Sequence, residues 1–259
     1  MVRLTGGQLV VRCLENAGVK TIFGIPGVNV LDVYDALYDS SIRHVLVRHE
    51  QSAAFMADAY ARVTGKPGVC LTTAGPGLTN AVTGLATAYS DSRPVLALAG
   101  EISSHLIGKE KGVLHEIDQT SLAKPVTKQA YCVFNAAEIP QAIERAFVDL
   151  KAGRPRPAYV GLPDNVLEAT GDFQLPEEKP CATVTSEPDE ELVEAALILL
   201  SQSRFPLILA GGGVVAAEAS SELIRIAELM SAPVVTTVNG AGSIPGDHPL
   251  FLGRSRLPK

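Results

Sequence analysis

The sequence predicts an α/β protein: a doubly wound parallel sheet, followed by part of a second Rossmann-like unit. Three observations carry this reading. Apolar strand-like runs alternate with segments of helical periodicity through the first 165 residues. The strand runs are continuously apolar, as in "PVLALAG", which suits strands covered on both faces. Glycine turns, "GIPG", "AGPG" and "AGGG", stand where strands hand over to helices.

Taken in order, "GGQLVVRCLENAG" places apolar residues at helical spacing and closes at Gly18. "KTIFGI" reads as a strand, "NVLDVYDAL" as a helix and "IRHVLV" as a strand. "EQSAAFMADAYARVTG" is the next helix, closed by Gly65. The strand "GVCLTT" runs into "AGPG", and "LTNAVTGLATAYSD" follows as a helix. After the strand "PVLALAG" come "PVTKQAYCV", the helix "AAEIPQAIERAFVDLKAG" and the strand "PAYVGLP". Residues 1–165 thus form the first expected domain. The pattern then breaks in a stretch rich in Pro, Glu and Thr, and residues 166–188 are expected as a linker. A second pattern fills 189–259: the helix "DEELVEAALILLSQ", the strand "FPLILAGGG", the helix "AEASSELIRIAELM" and the strand "PVVTTV". Two or three strands make a marginal sheet, so this second domain is expected to be incomplete and the chain a fragment.

Composition narrows the function. At 46% hydrophobic and 19% charged residues the chain is an ordinary globular protein. A net charge of −6 and no basic run argue against a nucleic-acid partner. The apolar runs are too short to cross a bilayer, and "MVRLTGGQLV" lacks the apolar core of a signal peptide. Cys13, Cys70, Cys132 and Cys181 form no CxxC pair, which excludes the usual zinc spacings and predicts reduced thiols in a cytoplasmic protein. No HExxH and no GxSxG occurs.

Chemistry concentrates at strand ends. "GIPG", the junction "RHE" at Arg48–Glu50, and "TTAGPGLTN" all follow predicted parallel strands, at the edge where open α/β sheets bind ligands. Taken alone, Glu50 reads more readily as an ordinary first-turn carboxylate favoured by the helix dipole, and it is the ordered combination with the two glycine turns that points to chemistry. "AGGG" completes no GxGxxG, and the next strand ends at "TTVNG" with no acidic residue to take a ribose hydroxyl, which disfavours a NAD site.

The ordered set "GVKTIFGIPGVNVLDVYDAL", "IRHVLVRHEQSAAFMADAYARVTGKPGVCLTTAGPGLTN", "AYSDSRPVLALAG" and "RPRPAYVGLPDNV" resembles the pyrimidine-binding domain of thiamine-diphosphate enzymes. The resemblance points to the acetolactate synthase and 2-oxo-acid decarboxylase group. "LILAGGGV" and "APVVTTVNGAGSIPGDHP" resemble the start of that family's central domain.

The resemblance implies roles. Glu50 would be catalytic, a buried acid bonding a ring nitrogen of the cofactor's aminopyrimidine and favouring its protonation. Ile25, Pro76 and Asn80 would line the aminopyrimidine pocket with it. Leu114 and His115 stand where acetolactate synthases carry Phe-Gln, beside Glu116, and would border the substrate; Lys128 matches a family lysine near the pocket. This departure at Leu114 and His115 keeps a plain decarboxylase open beside a carboligase.

The cofactors implied are thiamine diphosphate and Mg²⁺, with FAD a further candidate through "AGGG", although "GRSR" departs from the flavin-binding pattern. The family holds diphosphate and metal with a Gly-Asp-Gly and a later Asn in a third domain. No Gly-Asp-Gly occurs here, so no metal ligand is expected in this chain and no turnover by the chain alone. A homo-oligomer, dimer or tetramer, and a small 2-oxo acid complete the implied partners. The competing reading is a non-catalytic α/β binding or regulatory protein that keeps the fold.

Overall fold

The computed structural model describes residues 1–175 and 187–255. They fall into two compact units, divided between Val184 and Thr185. The first contains, in chain order, β1 (Val2–Thr5), α1 (Gly6–Asn16), β2 (Thr21–Gly24), α2 (Leu31–Tyr38), β3 (Arg43–Leu46) and α3 (Glu50–Thr64). There follow β4 (Gly68–Thr72), α4 (Pro76–Asp91), β5 (Val95–Glu101), α5 (Gln119–Ala123), β6 (Gln129–Cys132) and α6 (Ile139–Lys151). β7 (Ala158–Pro163), α7 (Asp164–Glu168) and β8 (Thr170–Phe173) complete the unit.

Six strands form one all-parallel sheet in the order β3-β2-β4-β5-β7-β6. Side chains alternate across it, as the two-residue strand period requires. Ile22, Val69, Leu71, Leu96, Leu98 and Val160 enter a core of large aliphatic residues that α1 and α6 also supply. Their sequence neighbours Phe23, Cys70, Ala97, Ala99 and Tyr159 face the opposite layer, built mostly from the alanines of α3 and α4. Helices therefore cover both faces, and the fully buried β4 and β5 read as unbroken apolar runs for that reason. The winding reverses between β2 and β4. From β2 the chain moves outward to β3, then crosses back to β4 and continues to β5. The expected doubly wound sheet is the observed one.

One expectation is corrected. Residues 166–173 are not the start of a linker. Val166 and Leu167 are buried in α7, and β8 pairs antiparallel with β1, with Val2 opposite Phe173 and Thr5 opposite Thr170. The sequence of β8, "TGDF", is too short and polar to announce a strand; its partner, not its composition, makes it one. Cys181 and the rest of 176–186 lie outside the described residues.

The second unit contains α8 (Glu190–Ser201), β9 (Ile208–Ala210), α9 (Gly212–Ala216), α10 (Ser220–Met230), β10 (Val234–Thr236) and β11 (Phe251–Arg254). Its three parallel strands lie in the order β11-β10-β9 over a small core of Ala210, Leu223, Ala227, Val234 and Ile244.

Candidate functional site

The crevice at a winding reversal opens beyond the carboxyl ends of the strands. β2 and β4 flank that point here, and their exit turns touch. A Cβ built on Gly27 would lie 2.4 Å from Cβ of Thr73, so a side chain at residue 27 would separate them. At Gly75 the backbone turns with φ 58°, a left-handed conformation that glycine adopts without strain. Pro76 then begins α4, where its fixed φ and missing N–H suit the first helical position. Ile25 is half-buried against the alanine-rich layer, and Pro76 is exposed.

Glu50 is the first residue of α3, on the same edge. His49 precedes it in extended conformation and caps the helix, its Nδ1 accepting from the Gln51 N–H at 3.1 Å. Val47 N–H donates to the Gly24 carbonyl at 3.1 Å, tying the exit of β3 to the end of β2. Asn80, in the second turn of α4, donates from Nδ2 to Oε2 of Glu50 at 2.9 Å.

That contact follows from the residues one turn below. Ala54 lies four positions after Glu50, and Gly84 four after Asn80, so each pair shares a helix face. A Cβ on Gly84 would meet the Ala54 Cβ at 2.5 Å; the two helices approach this closely because the face holds only small residues. Glu50 is half-buried in this chain rather than fully buried. The edge it shares with Asn80 remains reachable from outside.

Beside the "AGPG" turn a second, wholly buried polar group is present. Gln119 is 1% exposed; its Oε1 accepts from the Gly75 N–H at 2.6 Å and its Nε2 donates to the Gly100 carbonyl at 2.8 Å. Tyr159 donates its hydroxyl to Oε1 of Glu101 at 2.7 Å. Burial raises the Glu101 carboxyl above the ordinary carboxylate range, while hydrogen bonds from Gln119 and Tyr159 pull it back in part. Burial also pushes the thiols of Cys13, Cys70 and Cys132 up to about 12, which keeps them protonated and unreactive.

The loop after β5 returns to the same edge. His115 has φ 69° and its backbone lies against Gly75. Its Nδ1 is 3.4 Å from Oδ1 of Asn29, two residues beyond the "GIPG" turn. The Glu116 carboxylate accepts from the backbone N–H groups of Lys111 and Val113, bracing the loop. A cavity of about 800 Å³ lies under this loop, lined by Glu101, Val113, Ile117, Gln119, Cys132 and Phe134 among others.

The structure thus brings Ile25, Glu50, Pro76, Asn80 and His115 to one sheet edge. Leu114 is 81% exposed and contributes no packed wall in this chain. Lys128 is a correction. It precedes β6 at the opposite edge, where its ammonium bonds the carbonyl of Ala152 and, at 3.4 Å, that of Arg154. A lysine binding the last carbonyls of a helix is structural, and it is α6 that Lys128 closes. Sequence reasoning passed over Asn29, Glu101 and Gln119. Only Glu101 left a signal, a carboxylate at the end of an otherwise apolar strand.

In the second unit the glycine turn after β9 lies against the turn after β10; a Cβ on Gly212 would meet Cβ of Asn239 at 3.0 Å. The buried hydroxyls of Thr236 and Ser243, each 1% exposed, have no hydrogen-bond partner. Among the described residues no group of three or more His, Cys, Asp or Glu could hold a metal ion, and no helix is long and apolar enough to cross a membrane.

Residues 4–122 match the family profile described as thiamine pyrophosphate enzyme, N-terminal TPP binding domain. Residues 193–257 match the central-domain profile of the same enzymes. A probable acetolactate synthase large subunit of Methanocaldococcus jannaschii is 44% identical over 259 residues, covering 96% of this chain and 43% of that protein. The acetolactate synthase large subunit of Buchnera aphidicola is 40% identical, covering 95% of this chain and 43% of its own length. A probable 2-ketoarginine decarboxylase of Pseudomonas aeruginosa is 42% identical, with 97% and 45% covered. The chain spans less than half the length of these relatives.

Proposed function

Since this chain belongs to the thiamine pyrophosphate enzymes, we propose that it supplies the aminopyrimidine-binding half of a thiamine-diphosphate-dependent enzyme. That enzyme decarboxylates a small 2-oxo acid, as a lyase or as an acetolactate-synthase-like carboligase. The observation that carries this reading is the Asn80–Glu50 pair on the ligand edge of the sheet. Asn80 engages one carboxylate oxygen and leaves the other, Oε1, for a heterocyclic nitrogen. Ile25 offers half-buried apolar surface for a flat ring, and Pro76 offers exposed apolar surface at the start of α4. This donor set fits an aminopyrimidine.

Thiamine diphosphate, when bound, supplies the carbon nucleophile and the electron sink for loss of carbon dioxide. The chain's own residues orient and hold protons. Glu50 shares a proton with the ring nitrogen, Asn80 fixes the carboxylate rotamer, and the small faces of α3 and α4 keep the two side chains in register. His115, whose backbone lies against Gly75, would border the substrate.

Diphosphate and Mg²⁺ are assigned to the C-terminal region that the longer relatives carry, so turnover is proposed for the full-length enzyme and not for residues 1–259 alone. A homo-oligomer and a cytoplasmic location belong to the same proposal; unpaired, protonated thiols at Cys13, Cys70 and Cys132 support the second. FAD is the candidate for the second unit, supported by the glycine turn at Gly211–Gly213 and the partnerless hydroxyls of Thr236 and Ser243. The test is carbon dioxide release from a panel of 2-oxo acids by the full-length enzyme with thiamine diphosphate and Mg²⁺. No release from any of them, with cofactor bound, would overturn the reading.

A further inference from the structure

Asn29 touches four groups that converge on the ligand edge. Its Nδ2 lies 3.4 Å from the Glu101 carbonyl and 3.4 Å from Oδ2 of Asp164. Its Oδ1 lies 3.3 Å from the Thr73 hydroxyl and 3.4 Å from Nδ1 of His115. A carbonyl and a carboxylate only accept hydrogen bonds, so the amide cannot be reversed without setting oxygen against oxygen twice. Asp164 is itself fixed, accepting from the Ser103 hydroxyl and the Asn165 N–H at 2.6 Å each. Oδ1 of Asn29 is therefore the acceptor end, and the His115 nitrogen facing it must carry the proton. The ring's other nitrogen then has a lone pair in the neutral state and a proton only in the cationic one. The loop does not leave this to chance: His115 holds a left-handed φ of 69°, a strained backbone for histidine, pinned between Gly75 and the Glu116 brace.

We propose that Asn29 is a positioning residue that holds His115 as its Nδ1–H tautomer, reserving Nε2 for the substrate. The functional half of this rests on the site reading above; the tautomer does not. At Nε2 a neutral His115 accepts a hydrogen bond and a protonated one donates it, so a single histidine serves a proton-donating and a proton-accepting step.

The experiment is long-range proton–nitrogen correlation NMR of the histidine rings in this whole chain, above the titration range, with His115 assigned by loss of its signal in His115→Gln. The expected result is a protonated Nδ1 and a bare Nε2 at His115. In Asn29→Ala the ring should revert to the Nε2–H form that free imidazole side chains favour in water. A wild-type His115 in the Nε2–H form overturns the proposal, as does an Asn29→Ala ring that keeps Nδ1–H. The wild-type spectrum decides even where the variant folds poorly. In the full-length enzyme, Asn29→Ala combined with His115→Gln should turn over no more slowly than His115→Gln alone. Additive losses, or wild-type turnover by His115→Gln, overturn the functional half whatever the tautomer. Absence of all turnover by the wild-type enzyme would instead count against the site reading.

Discussion

Asn80 and Glu50 meet at 2.9 Å one helical turn above the point where Gly84 lies against Ala54. The polar contact and the small-residue contact belong to the same pair of faces on α3 and α4. The spacing of two helices sets the rotamer of a carboxylate, and under the proposed function that carboxylate would set where a ring nitrogen binds.

Glu50→Gln keeps the shape of the side chain but has no proton-sharing carboxylate. Carbon dioxide release by the full-length enzyme should fall by about 100-fold or more, while thiamine diphosphate still binds. Asn80→Ala removes one hydrogen bond to a charged group, and a drop of about tenfold is expected in the same assay. Wild-type turnover by Glu50→Gln would remove Glu50 from the chemistry.

Gly84→Val forces atoms into a gap that does not exist. The expected cost is about 1–3 kcal/mol by urea unfolding, the usual range for overpacking a close contact. Ala54→Gly in the same chain should recover part of it, because the clash is with the Ala54 Cβ. Recovery by the second change separates a local clash from a general intolerance of α4.

Glu101 gives a pH dependence with a definite sign. Its carboxyl is raised by burial in the folded chain above its usual 4.5. Between that value and the raised one, the folded state holds a proton that the unfolded state has released, so stability falls as pH rises. Glu101→Gln removes this loss. Unfolding midpoints of wild type and variant should therefore shift in the variant's favour from about pH 4.5 upward. A difference that stays flat or moves the other way across that range would contradict the burial of an ionisable group there.

Ending the first unit at residue 165 should fail where ending it at 175 succeeds. The shorter piece lacks β8, the partner of β1, and loses the bond from the Gly6 N–H to the Ala169 carbonyl at 3.0 Å. It also loses Val166 and Leu167 from the core, about 1.5–3 kcal/mol for each side chain. Cooperative unfolding of the 1–175 piece, and its absence or a clearly lower midpoint for 1–165, is the expected comparison.

Most of the sheet was legible because burial on both faces leaves its mark in every residue of a central strand. "GVCLT" and "VLALAG" needed no context. The "TGDF" strand had no such mark; an edge pair with a distant partner is specified by that partner. At the site, the glycine turns and Glu50 stood out by position along the strands, and their meeting was inferable from winding alone. Asn29 and Gln119 were not inferable, because a lone amide in a short helical turn says nothing of which backbone groups it will satisfy. Lys128 misled for another reason: the family resemblance alone put it near the pocket, whereas it precedes β6 and so lies at the amino ends of the parallel strands.

The pairing of β1 with β8 also bears on the cost of assembly. Thr5 and Thr170 are partners from opposite ends of the unit, and joining them closes almost the entire unit into one loop. The entropy of that closure is about 4–5 kcal/mol from chain length alone, more than a four-residue ladder of mixed polarity returns by itself. The ladder is therefore a late event, formed once β2 to β7 have already drawn the two ends together. During synthesis the turns at Ile25, Glu50 and Gly75 are all made, and their strands free to pair, well before Phe173 is added. On this reckoning the strands that carry Ile25, Glu50 and Gly75 to the edge can pair without the clasp, whereas the clasp depends on them.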